Sequence, residues 1–391
     1  MKEFGLVGRP IQDYIDTIGL GSGDRNLMRG IIGVSKEYRE IVTGEWNRFN
    51  LDDEGSLYGS LQDYKIDWGA VVRYKAVAEK QLERGNSYVY YTRDENGNNT
   101  VPRIIIRTEG DEVVEVRGIG YEQNVELNML DIAREKYLQL PGGTKFEEKY
   151  HDVKLFGLIC EKSDHDEELT SAEIRFLYEI DKEIESFGFQ KDPKIEEIIS
   201  KRNHKKDISI AIGVPENQIG TTREEFFRGN IVVYYGDLDL TDEDADFDSI
   251  KCSDLPNKFP KIVIGNLDLP NIEEIDRSLI FPEFVTKDFS IEIENVPDIY
   301  PMILPKHIGD SLFMLNLCST RNIVFSEFVL GDVDLDSVYE LTDDDFKTLG
   351  FVGGIVRLDE LFFEDREKWK KLSVEYPHLK IRDDIEKTVR N

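Results

Sequence analysis

Cysteine, histidine and tryptophan are scarce in this chain of 391 residues. Its three cysteines, Cys160, Cys252 and Cys318, lie far apart and form no Cys-x-x-Cys motif. We therefore expect neither a disulfide framework nor a cysteine-rich zinc site, and the pattern favours a reducing compartment. The five histidines form no His-Glu-x-x-His or His-x-His motif, so we predict no metal, no cofactor and no catalytic residue.

Long apolar runs are also missing from the sequence. Residues 1–5 contain no apolar signal core, and no stretch approaches the roughly 18 apolar residues that a membrane span requires. Together these absences predict a cytoplasmic protein that has no membrane partner.

Positive charge is in short supply, since 49 lysines and arginines stand against 79 aspartates and glutamates, a net charge of −30. Residues 226–391 hold 18 basic against 35 acidic side chains, so this part alone carries −17. Such a field repels DNA, RNA and anionic membranes and attracts basic proteins. Solvation of the folded chain explains the same charge without any partner.

Residues 1–145 are predicted to form an α+β domain. A helix over 68–84, ended by Gly85, precedes three segments rich in aromatic and β-branched residues. Strands are expected at 87–93, 101–107 and 113–117, separated by short turns, and a second helix follows them. The order of helix, antiparallel meander and helix is typical of an α+β fold.

Residues 146–225 are predicted to be mainly helical. Thr170 and Glu173 have the spacing of a capping box, and an apolar stripe runs from there to Phe187 before Gly188. Asp192 and Pro193 predict the start of another helix. A further capping box is predicted from Thr221 to Glu224.

Residues 226–391 contain an internal repeat of glycine, Asp or Asn, an apolar residue, Asp and leucine. It occurs at 236–240, 265–269 and 331–335, each time after an apolar β-preferring run, and similar strands without the glycine lie at 289–295 and 312–317. One such unit cannot bury its apolar face alone, so units are expected to stack. We predict a degenerate leucine-rich-like β solenoid with a C-terminal helical cap; an ordinary antiparallel sheet is the alternative.

The outward carboxylates of this acidic region are the candidate contacts for a partner. In the repeats and the acidic run after them they are Asp237, Asp239, Asp242, Asp244, Asp246, Asp248, Asp268, Asp332 and Asp334. The four alternating aspartates at 242–248 do not match a calcium-binding loop, because the sixth position lacks glycine and the twelfth lacks glutamate. The glycine-rich segment 19–24 likewise departs from a phosphate-binding loop.

A different function is suggested by residues 207–219, which resemble the core of a helix-turn-helix with Gly213 in the turn. A basic run lies just upstream of this core. The candidate nucleic-acid contacts are Lys201, Arg202, Lys205, Lys206 and Arg223. Two glutamates in the would-be recognition helix oppose this reading, because they repel phosphate.

The arrangement as a whole resembles uncharacterised bacterial and prophage-type proteins, in which a helix-plus-meander module precedes strand units. The resemblance rests on residues 85–97, 219–240 and 262–269, and the meander is similar to a segment of PcfJ-like mobile-element proteins. It covers about half of the chain. The resemblance implies a bacterial or phage setting and carries over no functional residue.

The sequence thus predicts a non-enzymatic protein-interaction module that binds a basic face of a protein or ribonucleoprotein. It would serve as an inhibitor or accessory subunit of a mobile element or phage. Nucleic-acid binding through residues 201–225 is one alternative, and an enzyme of unknown type is another. The oligomeric state is left open.

Overall fold

A computed structural model describes residues 42–61, 75–118, 124–188, 191–240, 249–335, 338, 349–358, 374, 376 and 379–382. The chain divides into two compact units. Unit 1 comprises Met1–Glu168 and Ile184–Ile198, and unit 2 comprises Leu169–Glu183 and Ile199–Asn391. The helical segment predicted over 146–225 is divided between them.

The fold is α+β, with an antiparallel sheet near the N-terminus, helices in the middle and a β solenoid of about four turns towards the C-terminus. The described helices are α1 (Glu54–Leu61), α2 (Lys75–Arg84), α3 (Leu130–Tyr137), α4 (Glu147–Asp164), α5 (Ser171–Leu177), α6 (Pro193–Ser200), α7 (His204–Ile212) and α8 (Arg223–Phe227).

The first sheet lies in unit 1 and the solenoid in unit 2. The sheet of unit 1 is formed by β1 (Gly44–Phe49), β2 (Ser87–Arg93), β3 (Asn99–Glu109) and β4 (Glu112–Gly118). The solenoid begins with β5 (Ile219–Gly220), β6 (Val233–Tyr235), β7 (Leu238–Asp239), β8 (Ser249–Lys251), β9 (Ile262–Ile264), β10 (Leu267–Leu269), β11 (Asn271–Glu273) and β12 (Leu279–Ile280). It continues with β13 (Phe284–Val285), β14 (Phe289–Glu292), β15 (Met302–Ile303), β16 (His307–Ile308), β17 (Leu312–Leu315), β18 (Ile323–Val324), β19 (Phe328–Val329), β20 (Val333–Leu335), β21 (Phe351–Val352), β22 (Ile355–Leu358) and β23 (Lys380–Arg382).

Unit 1 confirms the predicted meander and adds a strand to it. Strands β2, β3 and β4 are antiparallel neighbours, and β1 pairs with β2 along its whole length. The sequence of β1, GEWNRF, lacks regular alternation, so its pairing could not be anticipated. Helix α3 covers one face of the sheet, where Ala133 and Tyr137 join Ile104 and Ile106 in a buried cluster.

The capping box at Thr170 is confirmed, because its side chain accepts a hydrogen bond from the Glu173 amide and the Glu173 carboxylate accepts one from the Thr170 amide. The long helix predicted after it is wrong, since α5 ends at Leu177. Glu179 takes a positive φ of 51°, which stops the helix. The later N-cap is Thr222, one residue beyond the predicted Thr221.

The predicted solenoid is confirmed by parallel strand pairing in two seven-stranded sheets. The first solenoid sheet has the order β21-β19-β16-β13-β9-β6-β5, and the second has the order β23-β22-β20-β17-β14-β10-β7. A third side is made by the pair β8 and β11 and by β12, β15 and β18. Each coil of the chain thus contributes one strand to successive sheets.

Register between coils explains the repeat seen in the sequence. Leu238, Leu267, Phe289, Leu312, Val333 and Val356 are register partners along the second sheet, and all are buried. They belong to one continuous core cluster that also holds the inward residues of the first sheet. Stacking therefore buries what one coil could not bury alone.

The first two repeats require glycine at their corners. Gly265 has a φ of 140°, and a Cβ atom there would lie 2.4 Å from the Gly236 carbonyl oxygen of the preceding coil. Gly236 has a similar φ of 125°. Only glycine adopts this backbone without strain and allows the coils to approach so closely.

No described helix is both long enough and apolar enough to cross a membrane. The predicted C-terminal helical cap falls largely on 359–373, outside the described residues. Strand β23 follows that stretch and extends the second solenoid sheet beyond β22.

Candidate functional site

The polar residue after each corner forms a hydrogen-bonded ladder between coils. Asp237 Oδ1 accepts from the Asn266 amide at 2.8 Å, and Asn266 Oδ1 accepts from the Asp288 amide at 3.1 Å. The corner ladder continues through three more bonds. These join Asp288 Oδ1 to the Ser311 amide at 2.9 Å, Ser311 Oγ to the Asp332 amide at 3.1 Å and Asp332 Oδ1 to the Ile355 amide at 2.8 Å. Two of the predicted partner-binding carboxylates, Asp237 and Asp332, therefore also hold neighbouring coils together.

Two residues further along each coil, the second solenoid sheet presents an outward row. In register order, the row consists of Asp239, Asp268, Ser290, Phe313, Asp334 and Arg357, and we call it the carboxylate row after its three aspartates. The flanking apolar residues point inward, as the alternation in the sequence predicts. Register partners in neighbouring strands are about 4.8 Å apart, so the adjacent carboxylates Asp239 and Asp268 lie close enough to repel each other.

One arginine neutralises the acidic pair near the C-terminal end of the row. Arg357 Nη2 lies 2.8 Å from Asp332 Oδ2, and Arg357 Nη1 lies 3.4 Å from Asp334 Oδ2. The two aspartates are two residues apart on one coil, and Arg357 comes from the next coil in register with Asp334. The solenoid thus displays how two carboxylates at this spacing hold a guanidinium.

A second pair of aspartates with the same spacing lies at the other end of the row, but its neighbour on the next coil is negatively charged. Asp237 and Asp239 have the spacing of Asp332 and Asp334, but the register partner of Asp239 on the next coil is Asp268. Burial raises the pKa of Asp268 to about 6, with further contributions from the negative charges of Asp239, Asp288 and Asp237. A carboxylate thus occupies the position that a cation occupies in the Arg357 arrangement.

The acidic field extends along the adjacent corner. Burial raises the pKa of Asp310 as well, and the charge of Asp288 adds to the shift. The predicted candidates Asp242, Asp244, Asp246 and Asp248 lie outside the described residues. The described candidates therefore reduce to Asp237, Asp239 and Asp268 at one end, and to the pair bound by Arg357 at the other.

The basic segment proposed for nucleic-acid binding is engaged with acidic side chains of its own unit. Arg202 Nε lies 2.5 Å from Asp207 Oδ2 and its Nη2 lies 3.0 Å from Oδ1, with Asp207 almost completely buried. Lys205 Nζ lies 2.6 Å from Glu225 Oε1. These cations are occupied, so they are less able to meet phosphate groups.

The backbone after Gly213 also differs from a helix-turn-helix. Gly213 takes the left-handed conformation expected in the turn, with a φ of 80°. Beyond it, however, Ile219 and Gly220 form β5, which pairs with β6 and starts the first solenoid sheet. Helix α8 has only five residues, and Arg223 lies over the Phe227 ring at 5.8 Å. A recognition helix is therefore not formed at this position.

The buried Arg103 of unit 1 bonds to polar side chains of its own unit. Arg103, almost fully buried, pairs with Glu126 and donates from Nη1 to Thr92 Oγ1 at 3.3 Å. Burial raises the pKa of the Cys160 thiol to about 11, which keeps it protonated and unreactive. Within the part of the chain that the structure describes, no group of three or more His, Cys, Asp or Glu side chains could hold a metal ion.

Sequence reasoning did not single out Arg357, Asp288 or Asp310. Arg357 lies in the segment 354–358, where Ile355 and Arg357 replace the Asx and Asp of the repeat, and only strand register brings it beside Asp334. Asp288 lies in a degenerate coil without the glycine. Asp334 and Arg357 are 23 residues apart, the same separation as the starts of the similar strands at 289–295 and 312–317, and this spacing was the signal that could have identified the pair.

No family model matches the chain, and neither a curated protein nor a solved structure matches it. The resemblance to prophage-type and PcfJ-like proteins therefore stays a prediction.

Proposed function

We propose that this protein is a non-enzymatic, cytoplasmic interaction module whose solenoid binds a basic surface of a protein or ribonucleoprotein. The contact centres on Asp237, Asp239 and Asp268, and an arginine of the partner inserts among them. The proposal rests on the residues that strand register places beside each pair of aspartates. Asp268 stands in register with Asp239 where, at the other acidic pair, Arg357 stands in register with Asp334.

The electrostatics of this arrangement favour an added cation. Burial is the main cause of the raised pKa of Asp268, and the negative charges of Asp239, Asp288 and Asp237 on neighbouring coils raise it further. A guanidinium at this point removes the repulsion and gains two charge-assisted hydrogen bonds. The Arg357 contacts at 2.8 and 3.4 Å give the distances at which an aspartate pair of this spacing holds a guanidinium; because Asp268 fills the equivalent strand position, a partner arginine would approach from outside the sheet.

Cytoplasmic residence is supported by the thiols, since Cys160, Cys252 and Cys318 are all free. Direct binding to nucleic acid is not favoured, because Arg202 and Lys205 are already paired with Asp207 and Glu225. A partner whose basic face normally meets nucleic acid would suit the cluster of Asp237, Asp239 and Asp268. The protein would then act as an inhibitor or accessory subunit of that partner.

The proposal is tested with an arginine-containing basic peptide and the full chain in titration calorimetry. Binding should weaken steeply with salt, because the contact is electrostatic. Near pH 6 binding should also release protons, because a bound cation lowers the pKa of Asp268. Two buffers with different ionisation enthalpies reveal that release.

The decisive comparison uses two variants with the same change in charge. Asp239→Asn/Asp268→Asn should weaken peptide binding about tenfold or more. Glu294→Gln/Asp298→Asn, which neutralises two exposed carboxylates elsewhere on the solenoid, should leave binding unchanged. Equal affinity for both variants, or binding without proton release near pH 6, would refute the proposed site. Affinity purification from the native host then identifies the partner.

A further inference from the structure

A second surface of the solenoid, separate from the carboxylate row, carries exposed apolar side chains in register. On the first solenoid sheet, Ile262, Phe284, His307, Phe328 and Phe351 are successive partners. Phe284 is 41% exposed and Phe351 is 51% exposed, so the row faces outward. We call it the aromatic row.

The rings of the aromatic row stack along the solenoid axis. Phe284 and His307 are 4.6 Å apart at an angle of 13°, and Phe328 and Phe351 are 4.7 Å apart at 18°. The inward neighbours of these residues, Val285 and Ile308 among them, are fully buried. Because the ring faces lie against one another, the row exposes ring edges. Ile180 and Ile212 of the same unit line a groove together with Phe284, His307 and Phe328.

A parallel apolar row lies four residues earlier on each coil. Ile280, Ile303 and Val324 are register partners on the third side of the solenoid, and Ile280 and Val324 are 59% and 49% exposed. The two exposed apolar rows lie on adjoining sides of one corner of the solenoid. Exposed apolar surface rimmed by polar residues marks interaction sites on proteins.

Between these two rows runs a third, which consists of charges of alternating sign. It contains Lys261, Glu283, Lys306 and Glu327, each placed one residue before its member of the aromatic row. Backbone hydrogen bonds from Phe284 to Lys261, from His307 to Glu283 and from Phe328 to Lys306 hold these residues in register. Lys261, Lys306 and Glu327 are exposed, and Glu283 is partly exposed.

The charge row of one copy is complementary in charge to the same row of a second copy that runs in the opposite direction. A second copy turned by 180° about an axis parallel to the strands presents the coils in opposite order. Lys261 then faces Glu327 of the second copy, and Glu283 faces its Lys306, so all four positions meet an opposite charge. In the same register Phe284 faces the second copy's His307 and Ile280 faces its Ile303.

If the second copy were shifted by one coil in one direction, Glu283 would face Glu283 of the other copy. If it were shifted in the opposite direction, Lys306 would face Lys306. In both registers every facing pair in the charge row would carry like charges. Like charges at an interface disfavour wrong registers, while the apolar rows supply buried area. The occupant that matches both features is therefore a second copy of the same chain. A two-fold interface of this kind is self-complementary by definition.

We propose that this corner of the solenoid is the interface of an antiparallel homodimer. The two copies pack their aromatic rows and their Ile280, Ile303 and Val324 rows together. The charge row between them fixes the register.

Sedimentation velocity on the full chain tests the proposal, with the wild type expected to associate as its concentration rises. Glu283→Lys and Lys306→Glu should each weaken association about tenfold or more, because each puts like charges together twice per dimer. The double variant Glu283→Lys/Lys306→Glu restores every opposite-charge pair and should associate like the wild type. Glu294→Lys, an exposed charge reversal away from the corner, should have no effect.

A mixture of the two single variants gives the most specific outcome. Positions 283 and 306 both carry lysine in the Glu283→Lys chain and both carry glutamate in the Lys306→Glu chain. Each of these positions would therefore meet an opposite charge on the other chain, so the mixture should form a heterodimer. Circular-dichroism melting confirms that each variant is folded; the Lys261–Glu283 pair at 3.6 Å is exposed and contributes little.

Several results would overturn the proposal. They are a wild type that stays monomeric, single variants that associate normally, and a mixture of the single variants that stays dissociated. A different protein binding the corner of a monomeric chain would overturn it too.

Discussion

The guanidinium of Arg357 donates to Oδ2 of Asp332, one coil earlier in the solenoid, over 2.8 Å. Asp332 already uses its Oδ1 to accept the Ile355 amide, so one carboxylate serves two roles. It closes the corner ladder and binds a cation. The repeat aspartates are therefore parts of the solenoid's framework as well as sources of its charge.

Replacing Arg357 with alanine should lower the free energy of unfolding by about 1 kcal/mol, because Asp332 and Asp334 lose the guanidinium that contacts both of them. The loss should shrink at high salt, since the pair is partly exposed. Urea denaturation measures both effects. Arg321→Ala, which removes an exposed arginine elsewhere on the solenoid, is the control and should change the free energy by less than about 0.5 kcal/mol. An equal loss in both variants would contradict the role of Arg357.

Asp268→Asn should stabilise the protein at neutral pH. The pKa of Asp268 is raised to about 6 from an ordinary 3.8, so the folded state holds its proton more tightly than the unfolded state. Its favourable contribution is complete below about pH 4 and is lost as the pH rises through 6. Thermal melting at about pH 7.5 should show a higher Tm for the variant, and at about pH 4 the gain should disappear. A Tm difference that does not depend on pH would contradict the prediction.

Substitutions of Asp288 can distinguish its hydrogen bond in the corner ladder from the effect of its negative charge. Asp288→Ala removes the acceptor for the Ser311 amide and should cost about 1–2 kcal/mol of unfolding free energy. Asp288→Asn keeps an acceptor oxygen and removes a negative charge beside Asp268, so it should be neutral or stabilising. Chemical denaturation of both variants at neutral pH checks this. Equal destabilisation would show that the charge, and not the corner ladder, holds this coil.

Arg202 is expected to stabilise the folded chain and not to bind nucleic acid. Asp207 is almost fully buried and bonds to Arg202 and to the Tyr178 hydroxyl, which lies 2.9 Å from Oδ2. Arg202→Ala leaves that carboxylate without its cation and should cost about 3 kcal/mol. Lys201→Ala, its exposed neighbour, should cost less than about 0.5 kcal/mol. A gel shift with nucleic acid that both variants abolish, without loss of stability, would instead favour the nucleic-acid alternative.

Local patterns were enough to predict much of the architecture. Aromatic and β-branched runs separated by turns gave β2 to β4, and the spacing of Thr170 and Glu173 gave the start of α5. The end of α5 was missed because its apolar stripe continues to Phe187, although the chain turns at Glu179 with a φ of 51°. An apolar residue packs equally well from a loop, so periodicity alone does not fix a helix end.

The repeat of glycine, Asx, apolar residue, Asp and leucine determined by itself that strands would stack with leucines inward and aspartates outward. This follows because an isolated coil cannot bury its apolar face. Only the tertiary structure decided which side chains meet across coils. Register set Arg357 beside Asp334 but Asp268 beside Asp239, and it turned separations of 23, 21 and 23 residues into the aligned rings of Phe284, His307, Phe328 and Phe351. Such pairings depend on the length of each connection between coils, which no local pattern of residues encodes.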